Sequence, residues 1–521
     1  MVNCVTDDTI ERDKGESRYG EILKSTSLIG ASSVINIAMS VVRLKVLAIL
    51  LGPAGIGLFG LYNVIIDLTA NLVGLGVQSS GVRQVAMAVS SKDGDKVARI
   101  AKVLMLTSLV LGMIGALALL VLAAPVSNLS FGTEARASAV MLLGLAVWLR
   151  ILAGAPTAII QGHRRIGDLA RMTVVGALLN TAAAIPLIYF FGEAGVVPSL
   201  IAVALTSWIA AHWYCRKVRL PRVGLTLAQF SSETNDLLKL GFAFMASGLL
   251  TAGAAFVIRI LVVQHDGVAA AGNYQAAWSL GGIYVGFILQ AMGTDFYPRL
   301  SAVGTDDAAC NRAVNEQSMV SVLLAAPGLL ATLALSPWVM AVFYSTQFAD
   351  AVPLLRWFCL GMLLRVVAWP MGFIILAKGA QRIFFWTEVA ATIVHVGLAW
   401  LLLGVVGLTG AGLAFVGLYV WHGLLIYFLV RRMSGFRWSR DNLMLGALFL
   451  ALTGIVLAAV ELLPFWLGLV VALAGTAFGC CVSLALLIRL VPQHWLPERL
   501  RPVLDVLRRP MAAKAPARGR G

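Results

Sequence analysis

The sequence predicts an all-α polytopic membrane protein: two six-helix bundles related by an internal repeat around a central cavity, plus two extra C-terminal helices. Three observations carry this prediction. The 521 residues are 60% hydrophobic and only 12% charged, with a mean hydropathy of +0.88. Soluble domains contain about 25% charged residues. Long apolar runs recur along the chain, and its two halves align with a spacing near 215 residues.

The apolar runs define the membrane spans. A bilayer core about 30 Å thick needs about 20 apolar helical residues for each crossing. Fourteen runs meet this requirement, near 27–51, 58–79, 98–123, 137–159, 171–191, 195–214, 238–263, 273–297, 316–343, 351–377, 383–404, 408–430, 442–462 and 465–489. An even number of crossings places both termini on one side of the membrane.

The distribution of basic residues orients these spans. The segments on the side of the termini contain 32 of the 40 Lys and Arg residues, and the connections on the opposite side contain none. By the positive-inside rule, the side of the termini is cytoplasmic. The net charge of +15 therefore needs no nucleic-acid partner, and it favours contact with anionic lipid headgroups.

The spans and the polar segments between them give a domain organisation. The last segment is basic and Pro/Ala-rich, which is typical of a short interfacial helix followed by a disordered tail. The predicted divisions are a cytoplasmic N-terminus (1–26), a first lobe (27–217), a cytoplasmic linker (218–237), a second lobe (238–432), two extra spans (442–489) and a basic cytoplasmic tail (490–521).

The connections on the outer side are about 11 residues long at most. Membrane enzymes that build glycans outside the cell usually hold their substrate in a large outer loop or domain, and these connections are too short for one. No segment carries a nucleotide or phosphate motif, and no Cys/His cluster has zinc spacing. We therefore expect a transporter rather than an enzyme, with no catalytic residue, cofactor or metal.

The repeat pairs intramembrane arginines with each other. "VWLRILAG" around Arg150 aligns with "MLLRVVAW" around Arg365, and Arg43 aligns with Arg259. Since each copy has six spans, both copies insert with the same orientation, as in parallel-repeat transporters. The expected architecture is two bundles facing a central cavity, with alternating access by rocking of one bundle against the other.

These four arginines are the candidate substrate-binding cations. A cation within a span costs roughly 2.5–3.5 kcal/mol on insertion scales, so its retention needs a reason. One alternative for Arg43, Arg259 and the neighbouring Lys45 is snorkelling to the outer surface. For Arg150 and Arg365, near mid-span, the alternative is a structural bond to backbone carbonyls or a buried acid.

Polar residues accompany the arginines on spans 1 and 2. Asn36 shares a helical face with Arg43, and span 2 carries a stripe of Asn63, Asp67 and Asn71 at four-residue spacing. Three roles are open for Asp67. It could pair with Arg43, it could titrate and so couple transport to protons, or it could form a plain structural salt bridge. We count it as the one clear mid-span carboxylate. An arginine-lined cavity suits a phosphate anion, whereas a cation exporter would need more carboxylates.

The segment 25–86, and within it the run "RLKVLAILLGPAGIG" from Arg43 to Gly57, resembles the oligosaccharide flippases of the multidrug/oligosaccharidyl-lipid/polysaccharide exporter superfamily. Its pattern is similar to the O-antigen translocase and polysaccharide-biosynthesis group. The resemblance implies a bacterial inner-membrane flippase that moves an undecaprenyl-pyrophosphate-linked glycan, O-antigen or exopolysaccharide, to the periplasmic leaflet. It also implies polysaccharide polymerase or assembly proteins as partners.

Three alternatives remain open. Fourteen spans resemble the lipid II flippase branch of the superfamily, whose substrate is a peptidoglycan precursor. A multidrug or cation antiporter of the same superfamily predicts efflux of cationic dyes that depends on Asp67. A membrane scaffold without transport activity predicts that all four arginines tolerate replacement.

Overall fold

The computed structural model describes residues 5–221 and 223–490, and within these ranges side chains are described from Gly30 onward except at positions 243, 244, 247, 291, 294 and 295. In these residues the secondary structure is helical and no strand occurs, which confirms the all-α prediction. The predicted basic tail, 490–521, lies outside the described residues beyond Leu490, as do residues 1–4 of the predicted N-terminal segment.

The α-helices of the described residues follow one another with short connections. They are α1 (Val5–Gly74), α2 (Val77–Ser90), α3 (Gly94–Val121), α4 (Ala123–Phe131), α5 (Ala137–Gly162), α6 (Ile166–Phe191), α7 (Val196–Cys215), α8 (Leu227–Ala291), α9 (Tyr297–Ala302), α10 (Asp307–Ala334), α11 (Ser336–Phe343), α12 (Ala351–Ala377), α13 (Gln381–Val406), α14 (Thr409–Ser434), α15 (Arg440–Leu462) and α16 (Phe465–Leu490). Short 3₁₀ turns connect several of them, and a π-helical turn (Met292–Phe296) precedes α9.

Eleven helical stretches of the described chain are long and apolar enough to cross a membrane. Three of these, Gly30–Gly74, Ile166–Cys215 and Gly248–Gln290, have 45, 50 and 43 residues. This is about twice the length of one crossing. Each contains a glycine with positive φ near its middle, and division at these glycines gives fourteen helical segments in the described residues. The chain is a multi-pass membrane protein.

The turns within α1 and α8 depend on a single residue each. Gly52 has φ 63° and ψ −168°, and Gly267 has φ 83° and ψ 178°. This region of backbone space is essentially open to glycine alone, because it has no Cβ to clash with the neighbouring peptide groups. The two glycines lie inside the predicted outer connections, so the structure reduces those connections to one turning residue.

The helix pattern repeats along the chain. Both α6 and α13 have 26 residues, and they begin at Ile166 and Gln381, 215 positions apart. Each is followed by a glycine with positive φ, Gly192 or Gly407. Likewise α3 and α10 both have 28 residues. The repeat read from the sequence is therefore also a repeat of helix lengths and turning points.

The chain forms two compact units. Unit 1 contains the described residues up to Gln275 together with Ala341–Phe348. Unit 2 contains Ala276–Met340 and the described residues from Ala349 onward. The predicted lobes, 27–217 and 238–432, remain a prediction.

Candidate functional site

The candidate site residues of unit 1 lie on α1, α5 and α8. Asp67, in the second half of α1, forms an ion pair with Arg150 of α5, with Oδ1 and NH1 2.5 Å apart. Pairing of Asp67 with Arg43, one of the roles considered above, is therefore wrong. A large part of each side chain remains accessible, 39% for Asp67 and 50% for Arg150. Because charges avoid contact with hydrocarbon, we expect this accessible part to face an aqueous cavity.

Apolar packing fixes this ion pair. One buried cluster joins α1, α5 and the start of α7, and it includes Tyr62, Ile66 and Val147. Ile66 precedes Asp67 directly, and Val147 lies one helical turn before Arg150. Asp67 and Arg150 therefore extend from the edge of the apolar contact between α1 and α5. This contact determines that the Asp67 carboxylate pairs with Arg150.

Arg259, on α8, is the most enclosed arginine of the set, with 7% of its surface exposed. Its Nε and NH2 donate to Gln275 Oε1 at 3.3 and 2.6 Å, and its NH1 donates to the Ala255 carbonyl at 3.0 Å. The guanidinium carbon lies 5.6 Å from the centre of the Tyr274 ring. Protein groups thus surround this cation, which gives Arg259 a structural role in this conformation.

Close backbone contact places Arg259 and α1 together. Gly57 of α1 and Gly272 of α8, which the repeat aligns, approach so closely that a Cβ on either would lie 2.9 Å from the other's amide nitrogen. A Cβ on Gly272 would also overlap the Pro53 carbonyl. Only glycine permits this crossing of the second halves of α1 and α8.

Arg43 differs from Arg259 because its hydrogen-bonding capacity is not filled. The side chain is half-buried, and its buried Nε has no hydrogen-bond partner among the described residues. A buried donor without a partner costs about 1–3 kcal/mol. By contrast, the Nζ of the nearby Lys45 donates to the Ala341 carbonyl at 2.7 Å, so this cation already has a protein partner. Arg43 is therefore the cation of α1 that is available to a ligand.

The asparagines of the predicted polar stripe bond within their own helix. Asn63 donates to the Phe59 carbonyl and Asn71 to the Asp67 carbonyl, both at 2.8 Å. Asn36 is exposed. Asn63 and Asn71 share a helical face with Asp67, as the four-residue spacing predicted.

In unit 2, Arg365 of α12 lies against aromatic rings. Its guanidinium carbon is 5.0 Å from the centre of the Trp369 ring and 5.9 Å from that of Tyr419 on α14. Its buried Nε has no hydrogen-bond partner in the described chain. Ring faces attract the cation but leave its N–H donors unfilled. Arg365 thus combines a fixed position with open donors, which suits an anionic ligand.

Three titratable residues near Arg365 were not among the predicted site residues. Glu388 and His395 lie on α13, and His422 lies on α14, with His422 Nε2 3.9 Å from Glu388 Oε1. All three interact electrostatically with Arg365. Asp67 is therefore not alone among carboxylates within the predicted spans, because Glu388 lies near the start of the span predicted over 383–404. Glu388 and His395 are seven residues apart and therefore lie on one face of α13. This spacing was the sequence pattern that could have predicted these two residues.

The described residues contain no group of three or more His, Cys, Asp or Glu side chains placed to hold a metal ion. The chemistry available in both units is that of guanidinium groups, carboxylates and imidazoles.

Comparisons with known proteins agree with this architecture. Over residues 46–353 the chain matches the family model described as "Polysaccharide biosynthesis protein". It is 24% identical over 408 residues to the lipid III flippase of Escherichia coli (strain K12), with 77% of this chain and 95% of that protein covered.

Two solved structures show the same fold. The lipid II flippase MurJ in an inward closed conformation has a TM-score of 0.67 at 13% identity, covering 89% of this chain and 99% of that one. An inward-facing multidrug resistance transporter of the MATE family, in the MOP superfamily, has a TM-score of 0.67 at 17% identity, covering 77% and 98%.

The helix pattern and its structural neighbours thus define a multi-pass, all-α membrane protein with the fold of MOP-superfamily transporters. The chain belongs to the polysaccharide biosynthesis protein family. The family predicted from the run between Arg43 and Gly57 is confirmed.

Proposed function

We propose that this protein is a flippase that moves an undecaprenyl-pyrophosphate-linked oligosaccharide, an O-antigen or exopolysaccharide repeat unit, from the cytoplasmic to the periplasmic leaflet by alternating access. The observation that carries the proposal is the state of its intramembrane arginines. Arg43 and Arg365 keep buried guanidinium donors without protein partners, and Arg150 is half accessible. Such donors are suited to an anion, and guanidinium binds phosphate oxygens in a bidentate manner.

The physical role of these arginines is to replace water around the pyrophosphate. Transfer of a doubly charged head into the membrane loses its hydration, and fixed cations with free N–H donors offset that loss. Asp67 neutralises Arg150 in the absence of substrate, and the Trp369 and Tyr419 rings hold Arg365 in place. The polyprenyl chain needs no polar site because hydrocarbon is its own preferred environment.

The relatives support this substrate class, since one is named as a flippase of lipid III and a structural neighbour as a flippase of lipid II. We place the protein in a bacterial inner membrane, with both termini cytoplasmic, beside polysaccharide polymerase and assembly proteins. The distribution of Lys and Arg supports this orientation.

The test is a flipping assay with purified protein in proteoliposomes that contain a fluorescent lipid-linked oligosaccharide. Replacement of Arg43 and Arg365 with Ala should lower the initial flipping rate at least about tenfold, because each replacement removes a guanidinium donor worth about 1.5–3 kcal/mol to the pyrophosphate as it passes that residue. Arg136→Ala is the matched control. Arg136 pairs with Glu193 at 3.0 Å at the predicted outer end of α5, away from the proposed ligand. Rates within twofold of wild type for the double variant would contradict the proposal.

A second candidate is lipid II, which fourteen helical segments and the coverage of the MurJ structure favour. The same assay distinguishes it, because a lipid II flippase would move lipid II faster than the oligosaccharide precursor. A cation antiporter would instead move a cationic dye and lose that activity in Asp67→Asn.

A further inference from the structure

Glu388 of α13 and His422 of α14 form a close pair in unit 2. The Glu388 side chain is 41% exposed, and that of His422 is 14% exposed. The two atoms that face each other are 3.9 Å apart, which is too long for a hydrogen bond. His422 Nε2 is buried and has no hydrogen-bond partner among the described residues. A carboxylate and an imidazole nitrogen are thus placed close together without a bond between them.

The groups around this pair come from three helices. Arg365 acts on it from α12, His395 lies on α13 with Glu388, and Tyr419 lies on α14 with His422. The Tyr419 ring meets the His422 ring edge-on at 6.1 Å, and the His395 ring lies 5.8 Å from that of Phe415. Aromatic rings cover the imidazoles, and Glu388 is the anionic group that faces His422 Nε2.

Unit 1 shows that helix packing does not require titratable groups at these positions. The positions 215 residues before Glu388, His395 and His422 are Thr173, Asn180 and Ser207. There, Asn180 Oδ1 accepts hydrogen bonds from Thr206 at 2.6 Å and from Ser207 at 3.2 Å. Neutral polar groups thus join α6 to α7, whereas the equivalent contact between α13 and α14 contains an acid and two imidazoles.

We propose that Glu388 and His422 form a proton-binding site whose occupancy is linked to anion binding at Arg365. This rests on the proposed function, because it assigns the pyrophosphate head to Arg365. One proton from water converts a carboxylate and a neutral imidazole into a carboxylate–imidazolium pair. The three groups Arg365, Glu388 and His422 then change from a net charge of zero to plus one.

The sign of the linkage follows from Coulomb's law. The added positive charge attracts a pyrophosphate at Arg365, so the anion binds more tightly when the site is protonated. One added unit charge about 10 Å from a doubly charged pyrophosphate, at an effective dielectric constant of about 20, changes the affinity by more than about a hundredfold once protonation is complete. By reciprocity, anion binding increases the proton affinity of the pair by the same factor. The expected ligand-binding reaction therefore takes up protons.

The experiment measures binding of a short-chain polyprenyl-pyrophosphate-N-acetylglucosamine to the full-length protein in detergent at pH 5 and pH 7. Calorimetry in two buffers of different ionisation enthalpy gives the number of protons taken up. This pyrophosphate diester keeps its charge across that range. For the wild type we expect roughly tenfold tighter binding at pH 5 than at pH 7, and measurable proton uptake on binding.

The matched variant carries Glu388→Thr and His422→Ser, the residues that unit 1 has at Thr173 and Ser207. It should bind with nearly the same affinity at both pH values and without proton uptake. Glu461→Gln, which changes a carboxylate paired with Arg356, is the control that should keep the wild-type pH dependence. The thermal unfolding midpoint of each variant shows that it is folded.

The outcomes separate the two proposals. Binding of equal strength at both pH values in the wild type would overturn the proton site and leave the proposed function standing. Persistence of the wild-type pH dependence in the folded double variant would also overturn it. If the wild type failed to bind the probe at either pH, the proposed function and the proton site would both be overturned.

Discussion

Replacement of Asp67 with Asn should tighten binding of a lipid-linked pyrophosphate. The carboxylate lies against Arg150 in unit 1 and occupies the position that a phosphate oxygen would need in order to contact the same guanidinium group. A ligand that binds Arg150 must therefore first displace Asp67. The Asn side chain has nearly the same size but no charge, so the variant removes the competition and preserves the packing.

The magnitude follows from the geometry of the pair. At 2.5 Å, two unit charges interact by about 1.7 kcal/mol at the dielectric constant of water and by about 6.6 kcal/mol at a value of about 20. Solvent screens side chains that are 39% and 50% exposed, so the net value is close to that of surface pairs, about 1 kcal/mol. A ligand freed from this competition should bind about fivefold more tightly.

The assay compares wild type, Asp67→Asn, Arg150→Gln and the double variant for binding of the short-chain polyprenyl-pyrophosphate sugar. Arg150→Gln should weaken binding, and in that background Asp67→Asn should have little further effect, because the two residues act as a pair. An Asp67→Asn variant that binds the ligand more weakly than wild type would refute the reasoning. It would mean that Asp67 orients Arg150 for the ligand rather than competing with it.

Other replacements test the packing around the site. Gly272→Val should destabilise unit 1 by about 3 kcal/mol and lower the thermal unfolding midpoint, because the new Cβ would overlap the Pro53 carbonyl. Gly253→Val is the control, since a Cβ on Gly253 would have no atom within 4 Å. Equal midpoints for the two variants would contradict the close contact. Arg259→Ala should lower the free energy of unfolding by about 1.5–3 kcal/mol, and with it the thermal unfolding midpoint, because Gln275 loses its charged donor. An unchanged midpoint would rule out the structural role. Arg356→Ala should be destabilising by about 2 kcal/mol, since this arginine, with a side chain only 13% exposed, joins Ser336 to Glu461. Recovery in an Arg356→Ala, Glu461→Ala double variant would show that the unpaired acid is the cause.

The fold could be predicted because the relevant properties are local. Length and apolarity of each run decide whether it can cross a bilayer, and every backbone polar group in hydrocarbon must be bonded within a helix. The repeat was visible in "VWLRILAG" and "MLLRVVAW", and the helix bounds of α6 and α13 reproduce its spacing. The sequence did not show that α1 and α8 continue through their turns at single glycines.

The candidate site could be predicted only in part. Charges within apolar runs are conspicuous, so Arg43, Arg150, Arg259 and Arg365 were found as a set. Their surroundings separate them: Arg259 is enclosed by protein donors and acceptors, whereas Arg43 and Arg365 keep open donors. Glu388 was not predicted as a site residue, because it lies only seven residues inside α13 and so resembles a charged residue at the end of a span.

The sequence alone determined the class of protein, the number of helical segments, the repeat and the identity of the arginines, because each depends on composition or periodicity along one helix. Only the tertiary structure decided which charges meet. Asp67 pairs with Arg150, 83 residues away, because an apolar cluster packs α1 against α5. Glu388 meets His422 because α13 packs against α14. Such contacts depend on the packing of whole helix faces, and no single helix contains that information.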